Sequence, residues 1–170
     1  MIRKHKIYSR PRKLYDKTRI EEENSLVTRY GLKNKKEIWK ASSAIDKIRR
    51  QAKILIVASS SEQEKLIKKL NNLGFKVNKI ADILALNKED WLKRRLQSVI
   101  AEKKFAKTPK AARQLIVHKH IAINGNIVNI PSKMVDVEEE DKIEIAKLKS
   151  KKPKENKVEI KIEGEENAGQ

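Results

Sequence analysis

The sequence contains no cysteine. That excludes a disulfide framework, a thiol nucleophile and any cysteine-ligated zinc. Aromatic residues make up only 4% of the 170 residues. Proteins that grip single-stranded nucleic acid stack bases on Phe, Tyr or Trp, so this shortage argues against reading of unstacked bases. There are five glycines, and they form no glycine-rich phosphate loop. The three histidines are His5, His118 and His120, and no serine, histidine and acid are spaced as a catalytic set. The longest apolar run, Ile54 to Ala58, is five residues. A bilayer span needs roughly 20. The N-terminus lacks the apolar core of about 7–15 residues that marks a secretory signal. The expectation is a soluble intracellular protein that is not an enzyme, with no cofactor, metal, membrane or small-molecule substrate.

What the chain has in excess is positive charge. Its 41 Lys and Arg against 23 Asp and Glu give a net +18 and a pI near 10.0. Such a surface repels itself and calls for a polyanionic partner, with nucleic acid first. The charge is unevenly spread. Residues 1–20 hold eight cations and one acid, Asp16, with no periodicity. They read as an extended basic arm over residues 1–18, with Arg3, Lys4, Lys6, Arg10, Arg12 and Lys13 placed to meet phosphate.

Residues 19–90 read as a helical subdomain. Asp16 can cap a helix over about Lys17 to Tyr30, which Gly31 ends. Asn34 and Glu37 have capping-box spacing before a second helix. Its apolar stripe is Ile38, Ala41, Ile45, Ile48, Ala52 and Leu55. Arg49 and Arg50 lie off that stripe as candidate phosphate contacts. Ser61 and Glu64 repeat the capping-box spacing ahead of a third helix to Leu73, stopped by Gly74. A short helix over Lys79 to Leu86 follows, and Asn87 with Asp90 starts another.

Residues 91–148 form the organising unit. Leu92, Leu96, Val99 and Ile100 line one side of a helix, with Lys93, Arg94 and Gln97 mainly on the other. Thr108-Pro109 is a strong start for a second helix, which turns Ala112, Leu115 and Ile116 inward. Lys110, Arg113, Gln114 and Lys119 are then largely outward. Lys103, Lys104 and Lys107 fill the connection. Residues 91–120 carry nine cations and one acid, Glu102, an imbalance that ordinary solvated helices do not show. His118 and His120 would point apart on a helix, which disfavours a shared metal.

From Ile121 the period changes to two, and Asn124-Gly125 between apolar residues is a hairpin signal. Lys142 to Ile145 reads as a closing strand. Residues 121–146 hold two cations and six acids. This sign reversal suggests a brace rather than a phosphate surface, with the acid run Glu138 to Asp141 on a turn facing solvent. Residues 149–170, rich in Lys and Glu, read as a disordered tail, although VEIKIE at 158–163 alternates like a strand. The fold class expected is α+β: a helical N-terminal subdomain, then a basic helix pair packed on a short sheet.

The segment ARQLIVHKHIAINGNIVNIPS, residues 112–132, closely resembles the small RNA-binding domain named after ribosomal protein S-four. WLKRRLQSVIAEKKFAKTPKAARQ, residues 91–114, is similar to the archaeal and eukaryotic branch of that family. So is RIEEENSLVTRYGLKNKKEIWKASSAIDKIRRQA, residues 19–52, and the resemblance spans about residues 7–148. It implies a small-subunit ribosomal protein that binds rRNA at a multi-helix junction and helps nucleate assembly of the subunit body. It implies neighbours that include the S-five protein, a place near the mRNA entry path and an effect on decoding accuracy. Carried onto this sequence, the family's RNA contacts fall on Arg94, Arg95, Lys107, Thr108, Lys110, Arg113, Gln114, His118 and Lys119. The chain departs from the family's pattern at Gln97, where many members have Asp, and at Lys104, where glycine is common. It also lacks the N-terminal zinc cysteines of many bacterial members. Two other classes share the domain: RNA-modifying enzymes such as pseudouridine synthases, for which no catalytic domain has room here, and free RNA chaperones that recycle ribosomal subunits.

Overall fold

The computed structural model describes residues 6–146. Arg3, Lys4 and the tail expected over 149–170, with its VEIKIE segment, lie outside the described residues. Eight helices and a three-stranded sheet make up the described part. In chain order they are α1 (Lys17–Tyr30), α2 (Lys36–Leu55), α3 (Ser60–Asn72), α4 (Ile80–Ala85), α5 (Lys88–Lys93), α6 (Leu96–Glu102) and α7 (Pro109–Val117). Then come β1 (Ile121–Ile123), β2 (Asn126–Ile127), α8 (Val137–Glu140) and β3 (Ile143–Ile145). The fold is α+β, as the change of period at Ile121 requires.

Local chemistry sets most boundaries. Asp16 caps α1 by accepting from the Arg19 amide, and Gly31 ends it in the left-handed region at φ 59°. Asp90 accepts from the Asn87 amide to close a capping box on α5. Thr108 accepts from the Ala111 amide ahead of Pro109 at the start of α7. The expected box on α2 does not form. Asn34 accepts from the Lys36 amide, while Glu37 turns away toward two arginines. Helix α3 starts at Ser60 without a side-chain cap, so the Ser61–Glu64 spacing is not used as a box either.

The sheet has the order β2-β1-β3, antiparallel throughout. The β1–β2 hairpin turns on Asn124 and Gly125, both with positive φ. Ile121, Ile123, Val135 and Ile143 pack with Leu96, Val99, Ile100, Ala112 and Ile116 into one core. Two further clusters hold the helical part together. Leu26, Leu32, Ile38, Ala41 and Leu92 form one. Ala52, Leu70, Phe75, Val77 and Ile83 form the other, with Trp91 and Met134 against it.

The single helix expected through Lys93 to Ile100 is broken. Arg95 adopts extended backbone at φ −73°, ψ 143° and bridges to Met134 in an antiparallel step. The Leu96 amide donates to Lys133 O, and the Val135 amide to Arg94 O. Helix α5 therefore packs with the N-terminal helices through Trp91 and Leu92 instead of continuing into α6.

Candidate nucleic-acid interface

Helices α6 and α7 form the expected basic pair, but α6 is buried on most of its surface. Leu96, Gln97, Ser98, Val99 and Ile100 are all buried. A helix covered on several sides lies between two layers. Here one layer is the sheet with α7, and the other is the N-terminal helical part. The outward placement expected for Gln97 is thus corrected. Its amide donates to Tyr30 O, Gly31 O and Pro109 O at 3.0, 3.0 and 2.9 Å. Its side-chain oxygen accepts from Arg113 at 3.3 Å.

The arginines of this pair divide in the same way. Arg95, 5% exposed in its side chain, donates to Glu37 at 2.6 Å. Arg113 donates to both oxygens of Glu37, at 3.1 and 3.3 Å. Arg94 donates to Leu73 O, Val135 O and Glu140, all within 2.9 Å. The outward placement expected for Arg94 is corrected, and Arg95 is buried: both guanidiniums donate inside the protein, where they tie distant segments together. Arg113 is partly exposed, with its fork on Glu37 and Gln97. Burial pushes the Glu37 carboxyl up, but the hydrogen bonds and charges of Arg113 and Arg95 outweigh it and hold the group below its ordinary value.

The acid run also has partners. Glu140 meets Arg94, Asp141 meets Lys103 at 3.2 Å, and Glu139 meets Lys133 at 2.8 Å. The expectation that this run faces solvent holds for Glu138 and Asp141, which are exposed, while Glu139 and Glu140 lie partly buried on a short helix, α8, against their cationic partners.

What remains open to solvent is a narrower edge. Lys104, Lys107, Thr108, Lys110, Gln114, His118 and Lys119 are all exposed. Lys110, Gln114 and His118 recur every fourth residue along α7 and its C-terminal cap, which puts them on one face. The Thr108 hydroxyl is engaged as the α7 cap. Lys93 is exposed beside Asp90, 3.5 Å away. His120 is half-buried, and its ring centroid lies 6.4 Å from that of His118. The two rings do not point apart, because the helix has ended and Lys119 turns the chain at φ 64°. Among the described residues no group of three or more His, Asp or Glu is arranged to hold a metal.

Elsewhere, Lys6, Arg10, Arg12 and Lys13 are exposed on the arm. The arm is pinned where Arg19 donates to Lys13 O and Leu14 O, and Tyr8 lies 6.0 Å from the Trp39 ring. Arg49 reaches inward to Leu86 O, while Arg50 is exposed. Sequence reading missed Glu37 and Gln97 as members of the site. Glu37 looked like a cap, and the partners of Gln97 are carbonyls remote in sequence. The one available signal was Gln97 itself, a polar residue inside the run Leu96 to Ile100.

A family model described as the S4 domain matches residues 94–141, beginning at the break before α6. A protein of Korarchaeum cryptofilum named Small ribosomal subunit protein uS4 is 48% identical over 149 residues, covering 84% of this chain and 90% of its own length. The chain belongs to the uS4 family. Other uS4 proteins agree: that of Thermoplasma volcanium is 41% identical over 82% of this chain and 74% of its own length. That of Methanococcus aeolicus is 45% identical over 81% and 82%. These uS4 matches run far beyond the S4 domain, so they include the N-terminal helices on which Glu37 and Gln97 converge.

Proposed function

We propose that this chain is a structural constituent of the small ribosomal subunit and a primary binder of small-subunit rRNA at a multi-helix junction. In this reading it nucleates assembly of the subunit body and contributes to translational accuracy. It works in the cytoplasm, beside the S-five protein and near the mRNA entry path, and catalyses no reaction. The observation that carries the reading is the exposed edge Lys104, Lys107, Lys110, Gln114, His118 and Lys119 on a rigid helix pair. Fixed cations on one surface suit folded RNA, because each phosphate they neutralise releases counterions. Lys103, Arg113 and His120 support that edge from the same helix pair and its ends, and Lys93, Arg50 and the arm cations Lys6, Arg10, Arg12 and Lys13 supply further phosphate contacts in this reading. A free RNA chaperone would share the domain, but similarity to uS4 proteins over 149 residues favours the ribosomal reading.

Filter binding to a junction fragment of small-subunit rRNA tests this. Lys107→Ala together with Lys110→Ala is expected to weaken binding by roughly 1–3 kcal/mol and to flatten the slope of log K against log salt by about 2. An unaltered slope would sink the proposed edge. Sucrose-gradient sedimentation separates the classes: co-migration with small subunits supports a constituent, and migration with free RNA supports a chaperone.

A further inference from the structure

Glu37 is an acid placed at a surface that the proposed function assigns to RNA. A carboxylate there repels phosphate, so its presence needs a reason. It sits at the start of α2, yet it accepts from Arg95 at 2.6 Å and from Arg113 at 3.1 Å, 58 and 76 residues away in sequence. Gln97 reinforces the contact by accepting from Arg113 while donating to the carbonyls at the end of α1 and the start of α7. Gly31 also places the end of α1 directly against α7. A Cβ there would lie 2.9 Å from the Lys110 amide nitrogen and from Pro109 C. The Gln97 contacts with Arg113 and Pro109 O brace the α6–α7 pair internally; the others join the N-terminal helices to that pair, and the planar guanidinium of Arg113 presents two nitrogens to one carboxylate.

We propose that Glu37 is a positioning residue for RNA binding, which with Arg95, Arg113 and Gln97 fixes the N-terminal helices at one angle to the basic helix pair. The inference rests on the RNA-binding reading above. Arg113 then acts on RNA through Glu37, and the two halves present their cations as one rigid surface. Rigidity matters because a junction is recognised by its shape, and a surface free to pivot loses the matching arrangement of charges.

The sign of one substitution separates this from simple electrostatics. Glu37→Gln removes a negative charge, so if Glu37 is only a nearby acid, RNA of any kind binds more tightly. If Glu37 positions the halves, the junction fragment binds about tenfold more weakly while a plain RNA duplex of equal length does not. The salt slope stays that of the wild type, because no phosphate contact is lost. Arg113→Ala shows the same pattern, and the double variant is no weaker than the worse single one, since both remove one joint. Arg113→Lys keeps the charge but loses the fork; it is expected to resemble Arg113→Ala, and it carries the test if Glu37→Gln fails to fold.

Tighter binding of both RNAs by Glu37→Gln would overturn the proposal. So would wild-type binding by Arg113→Lys, or a salt slope reduced by about one in Arg113→Ala with an effect that adds to that of Glu37→Gln. Wild-type protein that prefers the duplex to the junction fragment would overturn the RNA reading itself, a distinct result.

Discussion

Lys104 and Lys119 hold φ at 60° and 64°, a region that L side chains enter at a steric cost of about 1–2 kcal/mol. Each sits one position past the cap residue of a helix, after Lys103 on α6 and after His118 on α7, and closes it in the same way. Lys104 donates to Ala101 O and Phe105 to Ile100 O; Lys119 donates to Ile116 O and His120 to Leu115 O. This is the Schellman pattern, which usually places glycine at that point. Gly31 and Gly74 close α1 and α3 with the same bonds. The two lysines are exposed on the proposed RNA edge, and strain kept at such a place suggests that the cation is worth more than the relaxed backbone. Lys104→Gly is therefore expected to raise stability by roughly 1 kcal/mol, less whatever chain entropy glycine restores to the unfolded state. The same variant should bind the rRNA junction fragment more weakly. Chemical denaturation and filter binding on one preparation check both signs, and unchanged affinity would show that the strain serves no RNA contact. The Gly-closed helix ends were legible in the sequence because glycine marks them. Of the Lys-closed ends, Lys104 was marked because it stands where glycine is common in the family, and its φ of 60° bears that out; Lys119 had no such mark, and only its observed φ distinguishes it from an ordinary charged position.

The elements show where pattern reading works and where it stops. Helix α1 starts and ends where Asp16 and Gly31 place it, and the hairpin forms at Asn124-Gly125. Both follow from chemistry contained within a few residues. Helix α6 was misread because a stripe rule assumes one buried face, whereas this helix is covered on two. The break at Arg95 depends on pairing with Met134, 39 residues on, which no local window contains. Gly31 shows how tightly the layers meet. Gly31→Ala would force a left-handed alanine and press its Cβ onto the backbone of Pro109 and Lys110. A loss of roughly 2–4 kcal/mol is expected, with α1 and the start of α7 moving apart. Gly125→Ala, at φ 77° with nothing within 4 Å of the added carbon, should cost only about 1 kcal/mol for the backbone strain. Thermal denaturation of the two variants side by side tests the contrast. Equal losses would mean that φ alone, and not the close approach of α1 to α7, makes Gly31 necessary.

At the scale of the whole molecule, a net charge of +18 works against compactness, and any loss of acid charge adds to that repulsion. Glu37 is the acid whose protonation matters most, because it is the shared partner of Arg95 and Arg113 across the two halves. Burial raises its carboxyl, but the two arginines more than offset this, so the folded value lies below the ordinary 4.5. The sign follows from linkage. A depressed carboxylate contributes its full stability above the unfolded value, and that contribution falls away as pH drops toward and through the folded value. Between about pH 5 and the folded value, the wild type should therefore lose thermal stability as pH falls. Asp16 and Asp82, also held low by hydrogen bonds from helix starts, add slopes in the same direction. Glu37→Gln has no proton to take up at that position. It is expected to be less stable than the wild type at neutral pH, with a shallower fall in acid, so the two curves converge as pH drops. Thermal unfolding monitored at half-unit steps from pH 6 to about pH 3 measures both curves. Parallel curves would mean that Glu37 contributes no pH-dependent stability, and that acid does not loosen the joint between the halves through this carboxylate.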